Sequence, residues 1–244
     1  MRAPPRIRGV WRQFAQEPPM SIALSQSGPV SLRRRIGPLD ALLAEADRAL
    51  RVLSNSATAG RPYPAKTPDA PGALSEQDKR HAAGLMRVNH VGEICAQALY
   101  RGQASVCREP APRALLLNAA AEEVDHLVWC NERLTELNSR PSLLNPVWYA
   151  GSFALGVLAS YAGVPRNLGF MAETEKQVEA HLEEHLRTLP VQDERSREVV
   201  RKMKDDEAEH RASAERAGGV PLPGPVKTAM RAMSKVMTTT AYWI

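Results

Sequence analysis

One pattern occurs twice in this chain of 244 residues, and it limits what the chain can fold into. Glu122–Glu123–Val124–Asp125–His126 is answered by Asp206–Glu207–Ala208–Glu209–His210, so each segment carries a Glu-x-x-His. A single Glu precedes each at a similar distance: Glu93 lies 30 residues before Glu123, and Glu175 lies 32 residues before Glu207. A helix turns about 100° per residue, so side chains at i and i+3 leave it on nearly the same face. Each Glu-x-x-His can therefore hold one metal ion.

The apolar periodicity places these groups on faces that packing should bury. Leu116, Ala119, Glu123, His126, Cys130 and Leu137 fall on one stripe; Val200, Met203, Glu207, His210, Ala214 and Ala217 fall on a second. Leu168, Met171, Glu175, Val178, Leu182 and Leu186 form a third, and Met86, Glu93, Gln97 and Tyr100 a fourth. Glu132, Glu184 and Glu209 fall off the stripes and read as solvated. A buried carboxylate without a partner costs several kcal/mol, and four facing one core repel one another. Two divalent cations cancel four carboxylates. A Glu from each of two helices, with Glu-x-x-His from each of the other two, is the ligand set of ferritin-like di-iron and di-manganese bundles. Carboxylate with imidazole suits iron or manganese better than zinc.

The punctuation predicts an all-α fold. A short amphipathic helix is expected over 38–53, with Leu39, Leu42, Leu43, Ala46 and Leu50 on one face, followed by a Pro-, Ala-, Gly- and Ser-rich linker over 54–72. Ser75 reads as the N-cap of a long helix to about Cys107, ended by Pro110 and Pro112. Further long helices are expected from about Arg113 to Leu137, Pro165 to Leu189 and Gln192 to Ala217, and one more amphipathic helix follows Pro225. The organisation is then a basic N-terminal region over 1–74, a bundle over 75–220 and a basic amphipathic tail over 221–244. Residues 141–165 carry no charged side chain and no His, and Trp148, Tyr149 and Tyr161 sit near the ends of the run. Such a segment is expected to lie in or dip into a membrane, with a buried crossover helix as the alternative.

Charge supports a surface of that kind. Residues 1–36 hold seven Arg and one Glu, and the last 24 residues hold three basic groups and no acidic one. A basic skin at both ends of an acidic body suits anionic lipid, and no nucleic-acid motif accompanies it. The N-terminal segment lacks the apolar run of a secretory signal, and either Met1 or Met20 can begin the protein. Three cysteines with no C-x-x-C fit a reducing compartment.

A competing motif, His181–Leu182–Glu183–Glu184–His185, matches H-x-x-E-H, and a zinc peptidase at His181, Glu184 and His185 is the remote alternative. It leaves the doubled pattern unexplained, and His185 reads as a surface residue.

Arg87–Val88–Asn89–His90–Val91–Gly92–Glu93 with Tyr100–Arg101–Gly102–Gln103 resembles the first metal helix of the demethoxyubiquinone hydroxylases. Those are membrane-associated di-iron monooxygenases of ubiquinone biosynthesis. Glu122 to Leu127, Arg140–Pro141, Phe153–Ala154–Leu155–Gly156, Glu175, Leu186–Arg187–Thr188–Leu189 and Asp206 to His210 continue the likeness in order, over about 78–244. The resemblance implies a ferritin-like four-helix bundle with extra membrane-associated helices. Its two iron ions would be held by Glu93, Glu123, His126, Glu175, Glu207 and His210. It implies hydroxylation of a prenylated benzoquinol ring by O2, with NADH or the quinol itself as reductant. It further implies contact with membrane lipid and other ubiquinone-biosynthesis proteins, at the cytoplasmic face of a bacterial inner membrane or the matrix side of a mitochondrial one. Animal members carry a His–Tyr pair on the third helix; the aligned pair here is His181–Leu182, which leaves His181 an outer-sphere role. A ferritin-like iron-storage protein is the alternative from another class.

Overall fold

The computed structural model describes residues 37–66 and 74–244. Among them are seven helices: α1 (Pro38–Leu53), α2 (Glu76–Val106), α3 (Pro110–Glu136), α4 (Asn145–Ser160), α5 (Val164–Thr188), α6 (Glu194–Arg216) and α7 (Gly224–Trp243). The reading of 1–36 as a basic tail lies outside the described residues.

Most helix ends follow from local chemistry. Ser75 Oγ accepts from Asp78 N at 3.1 Å and caps α2. Asp193 caps α6 by accepting from Ser196 N at 3.0 Å, two residues later than the expected start. Gly218, at φ +97°, ends α6 in the left-handed region where glycine pays no Cβ penalty. The start of α3 corrects the sequence reading. Pro110 and Pro112 do not precede this helix; they lie in its first turn. The first amides of a helix have no intrahelical acceptor, so losing an N–H there costs little.

The four long helices close a ring in the order α2, α3, α6, α5, each packed on the next. Their interior is layered. At one level Met86, Trp129, Leu134, Leu182, Val200 and Met203 form an apolar cluster. At the other, Leu99, Tyr100, Leu116, Ala119, Phe170 and Met171 form a second. The carboxylates and histidines of the doubled pattern occupy the layer between, because each lies within a stripe whose two ends belong to different clusters. Arg133, fully buried, ties α3 to the start of α6 through Asp193 at 2.7 Å and Ser196 Oγ at 2.9 Å.

The charge-free segment forms α4 and packs along α2. Contact is close enough to require glycine on both sides. A Cβ on Gly102 would lie 2.2 Å from Phe153 O, and one on Gly156 would lie 2.1 Å from Leu99 O. No helix among the described residues is long and apolar enough to cross a membrane. The outer face of α4 remains exposed at Val147, Leu158 and Tyr161. The C-terminal segment is more than a tail: α7 lies on α2, with Ala241 buried and Arg87 NH1 donating to Tyr242 O at 2.8 Å.

Helix α1 has the expected bounds, and one N-terminal expectation, the linker, changes. The leucine face of α1 turns outward, leaving Leu39, Leu42, Leu43 and Leu50 exposed, while Ala49, Val52 and Leu53 make the inward contact. Residues 57–66, read as linker, lie against α3 and α6, and Ala65 is buried in the first apolar cluster.

Candidate metal centre

The layer between the two apolar clusters gathers the six residues of the doubled pattern into two overlapping sets. Glu93, Glu123, His126 and Glu207 form one, and Glu123, Glu175, Glu207 and His210 the other. Within each set the ligand atoms all lie within 4.8 Å of one another, and all six residues are buried.

The geometry is close to two-fold. His126 Nδ1 lies 3.0 Å from Glu123 Oε2, 3.2 Å from Glu207 Oε1 and 3.8 Å from Glu93 Oε2. His210 Nδ1 lies 3.2 Å from Glu123 Oε1, 3.3 Å from Glu207 Oε2 and 3.7 Å from Glu175 Oε1. Glu123 and Glu207 thus offer one oxygen to each histidine, whereas Glu93 and Glu175 each serve one side. Sequence spacing alone pairs each Glu with the His on its own helix; the fold makes those two carboxylates common to both positions.

The outer nitrogens have partners that the sequence reading passed over. His126 Nε2 lies 3.0 Å from Asp206 Oδ2, and His210 Nε2 lies 3.1 Å from Glu122 Oε2. Both acids directly precede the Glu of the opposite repeat. That shared position was the available signal, hidden because Glu122 and Asp206 fall beside the buried stripes rather than within them. A carboxylate on the outer nitrogen retains a proton there, so the inward Nδ1 is the nitrogen that a cation would meet on displacing its proton. On the other side of the cluster, the Tyr100 hydroxyl donates to Glu175 Oε1.

Electrostatics in the protein alone mark a cluster short of positive charge. Burial pushes Glu93 and Glu175 well above the ordinary carboxylate range, and the neighbouring carboxylates add to it. Burial also acts to raise Glu123 and Glu207, but the adjacent imidazoles outweigh it and hold both below that range. Burial acts to lower the two histidines, but the carboxylates around them win: His126 is raised well above its usual value and His210 to about 12. Glu123 Oε1, Glu175 Oε2 and Glu207 Oε1 are buried and meet no donor in hydrogen-bonding geometry among the described residues. Four carboxylates and two imidazoles with unmet acceptor capacity fit two divalent cations of the iron or manganese type.

His181 joins neither set. It lies on α5 beside an apolar cavity of about 160 Å³ between α2, α4, α5 and α7, lined also by Leu99, Leu155, Phe170 and Met230. Burial lowers its pKa to about 4, so it is neutral. Gly92 and Thr174, which precede Glu93 and Glu175, line the same cavity, so it runs beside the carboxylate layer. The competing H-x-x-E-H motif does not converge. Glu184 is exposed and pairs with Arg187 at 3.3 Å, and His181, Glu184 and His185 do not form a metal-holding group among the described residues. His185, expected at the surface, is buried, beside a pocket lined also by Leu85 and Val88 of α2 and Tyr242 of α7.

Comparison with known proteins places the chain in a family. The family described as "Ubiquinone biosynthesis protein COQ7" matches residues 80–241. A 3-demethoxyubiquinol 3-hydroxylase of Bordetella pertussis is 79% identical over 220 residues, covering 90% of this chain and 99% of that protein. Proteins of the same name are 57% identical in Ralstonia pickettii over 84% of this chain, and 58% in Xanthomonas euvesicatoria over 87%. The chain belongs to the COQ7 family of ubiquinone-biosynthesis proteins.

Proposed function

We infer that the chain is a 3-demethoxyubiquinol 3-hydroxylase of ubiquinone biosynthesis in which Glu93, Glu123, His126, Glu175, Glu207 and His210 hold two iron ions. The observation that carries the reading is the pair of overlapping buried clusters, in a chain closely similar to proteins that bear that name. Iron held by these residues would supply the redox chemistry for a two-electron reduction of O2, in which one oxygen atom enters the ring and the other leaves as water.

The chain's own residues do the rest. Glu123 and Glu207 each turn one oxygen to either histidine, so both carboxylates would be shared by the two ions. Glu93 and Glu175 are terminal, and the Tyr100 hydroxyl orients Glu175. Asp206 and Glu122 keep the proton of each imidazole on Nε2, so Nδ1 stays free to ligate. The apolar cavity takes the ring and the start of its prenyl chain and excludes water from the carboxylate layer. His181, neutral on the cavity wall, accepts a hydrogen bond from a quinol hydroxyl, which is its outer-sphere role. The quinol or NADH furnishes the reducing electrons. The cavity favours this reading over iron storage, which has no use for a lined apolar pocket beside the metals.

In the same reading the bundle is ferritin-like and sits on the cytoplasmic face of a bacterial inner membrane without crossing it. Support comes from the exposed Leu39, Leu42, Leu43 and Leu50 on α1, Val147 and Leu158 on α4, and Met233 and Val236 on α7. Helices α4 and α7 also wall the cavity, so a prenylated substrate can pass from lipid to the site between them.

The direct test supplies the iron-loaded protein with demethoxyubiquinol, O2 and a reductant. A product heavier by one oxygen atom is expected, and its loss in Glu175→Ala with helicity retained ties the chemistry to the cluster. Iron-loaded protein that makes no product sinks the assignment. For the membrane, the α4 segment should resist protease when the protein is bound to anionic vesicles; ready cleavage there overturns the docking.

A further inference from the structure

The near two-fold symmetry of the metal layer is broken by one segment. Pro62 and Pro64 fix φ and bias their predecessors toward extended backbone, so Gly60–Arg61–Pro62–Tyr63–Pro64 cannot be helical. It runs across α3 and α6. Gly60 N donates to Asp125 Oδ1 at 2.6 Å. Arg61 Nε donates to Asp125 Oδ2 at 2.5 Å and NH1 to Asp206 Oδ2 at 2.8 Å, and its guanidinium stacks 4.9 Å from the centre of the Trp129 ring. Further along, Ala65 is buried in the core and Lys66 N donates to Glu198 Oε2 at 2.8 Å.

These contacts fall on one repeat only. Asp125 is buried under the segment, whereas its counterpart Glu209 is exposed and pairs with Arg216. Asp206, which holds His126, is itself held by Arg61 and Lys202. Its counterpart Glu122, which holds His210, has a side chain 49% exposed and pairs with no cationic Arg or Lys among the described residues. His126 is fully buried, and the side chain of His210 keeps 8% exposure.

We propose that residues 57–66 form a strap that closes the His126 metal position, and that Arg61 is its positioning residue, so the two positions hold a divalent cation unequally. The inference rests on the reading that these clusters bind metal. Arg61 NH1 holds Asp206 Oδ2 at 2.8 Å and NH2 lies 3.2 Å from His126 Nε2; with the ring proton on Nε2 that nitrogen donates to Asp206 at 3.0 Å, and Arg61 then positions the ring through Asp206. With Asp206 immobilised and water excluded, the inward Nδ1 of His126 keeps its aim. Release of a cation there requires the strap to lift, whereas at His210 it requires only that the solvated Glu122 swing away.

The test uses the full chain loaded with ⁵⁷Fe(II) and challenged with excess chelator without O2. Iron should leave in two phases of equal amplitude. Arg61→Ala should accelerate the slow phase by about 10- to 100-fold, leave the fast phase unchanged, and shift one of the two Mössbauer doublets. Arg61→Lys keeps the charge without the fork and should give a smaller acceleration of the same phase. It carries the test alone if the alanine variant does not fold. A single release phase in the unaltered protein, or folded variants with both phases and both doublets unmoved, overturns the proposal. A chain that binds no pair of divalent ions refutes instead the ligand reading beneath it.

Discussion

Loading this site with metal should release protons in a number that the cluster's charge fixes. In the apo protein, burial and the neighbouring carboxylates raise Glu93 and Glu175 well above the ordinary carboxylate range, and the carboxylates around them raise His126 and His210 above the ordinary imidazole range, so all four are shifted toward their protonated forms. Glu123 and Glu207 remain anionic. Two imidazolium charges then cancel two carboxylates, and the buried layer is neutral. Two divalent cations on four carboxylates and two neutral imidazoles are also neutral. Moving between these states frees one proton each from Glu93, Glu175, His126 and His210. More than one proton, and up to about four, should therefore leave per pair of ions.

The sign follows by linkage. The apo form binds more protons than the loaded form, so acid favours the apo form and alkali the loaded one. Each proton released makes the joint affinity rise about tenfold per pH unit, so the dependence should be steeper than for a single titrating group. Anaerobic calorimetric titration with Fe(II) or Mn(II), repeated in buffers of different ionisation enthalpy, gives the number directly. Release of one proton or none would refute the reasoning, since the donors would then already be deprotonated and the buried layer would carry an uncompensated negative charge.

Three other perturbations test the frame around the site. Asp193→Ala removes both the α6 cap and one of the two carboxylates that pair with fully buried Arg133, Glu136 being the other, and should cost about 2–4 kcal/mol in denaturant unfolding. Asp193→Asn, which can keep the cap, should cost less. Gly156→Val drives a side chain into Leu99 O and should destabilise by at least about 1–3 kcal/mol, read as a lower unfolding midpoint. Leu155→Glu puts a charge on the cavity wall; it should lower kcat/KM for a prenylated quinol by about tenfold or more while metal content stays unchanged.

What the sequence reveals depends on whether a contact has a local period. Glu123 with His126 and Glu207 with His210 are legible because burial and ligation obey the same 3.6-residue repeat, so a carboxylate inside an apolar stripe stands out. The helices are legible for the same reason, apart from α3, whose prolines read as breakers although they occupy a turn that tolerates them. Glu122 and Asp206 are harder. Each reaches sideways to a histidine on the neighbouring helix, so its own helix gives no sign of burial, and only comparing the two repeats position by position exposes the shared acid.

The strap is hardest, because Arg61 meets partners 64 and 145 residues away and its Pro- and Gly-rich surroundings have the composition of a linker. Periodicity also misleads in α1, where the leucine stripe is real but faces outward. A stripe records that a face seeks an apolar neighbour; it does not say whether the neighbour is this bundle or a lipid surface. The same logic separates the two metal positions. The repeats write two matching halves into the sequence, and a segment outside both repeats decides which half is closed. An asymmetry in metal release would therefore originate in residues that carry no ligand, and truncation before α2 should make the two positions more alike rather than weaken both equally. Equal weakening of the two release phases would show that the strap acts on the bundle's stability and not on the His126 position.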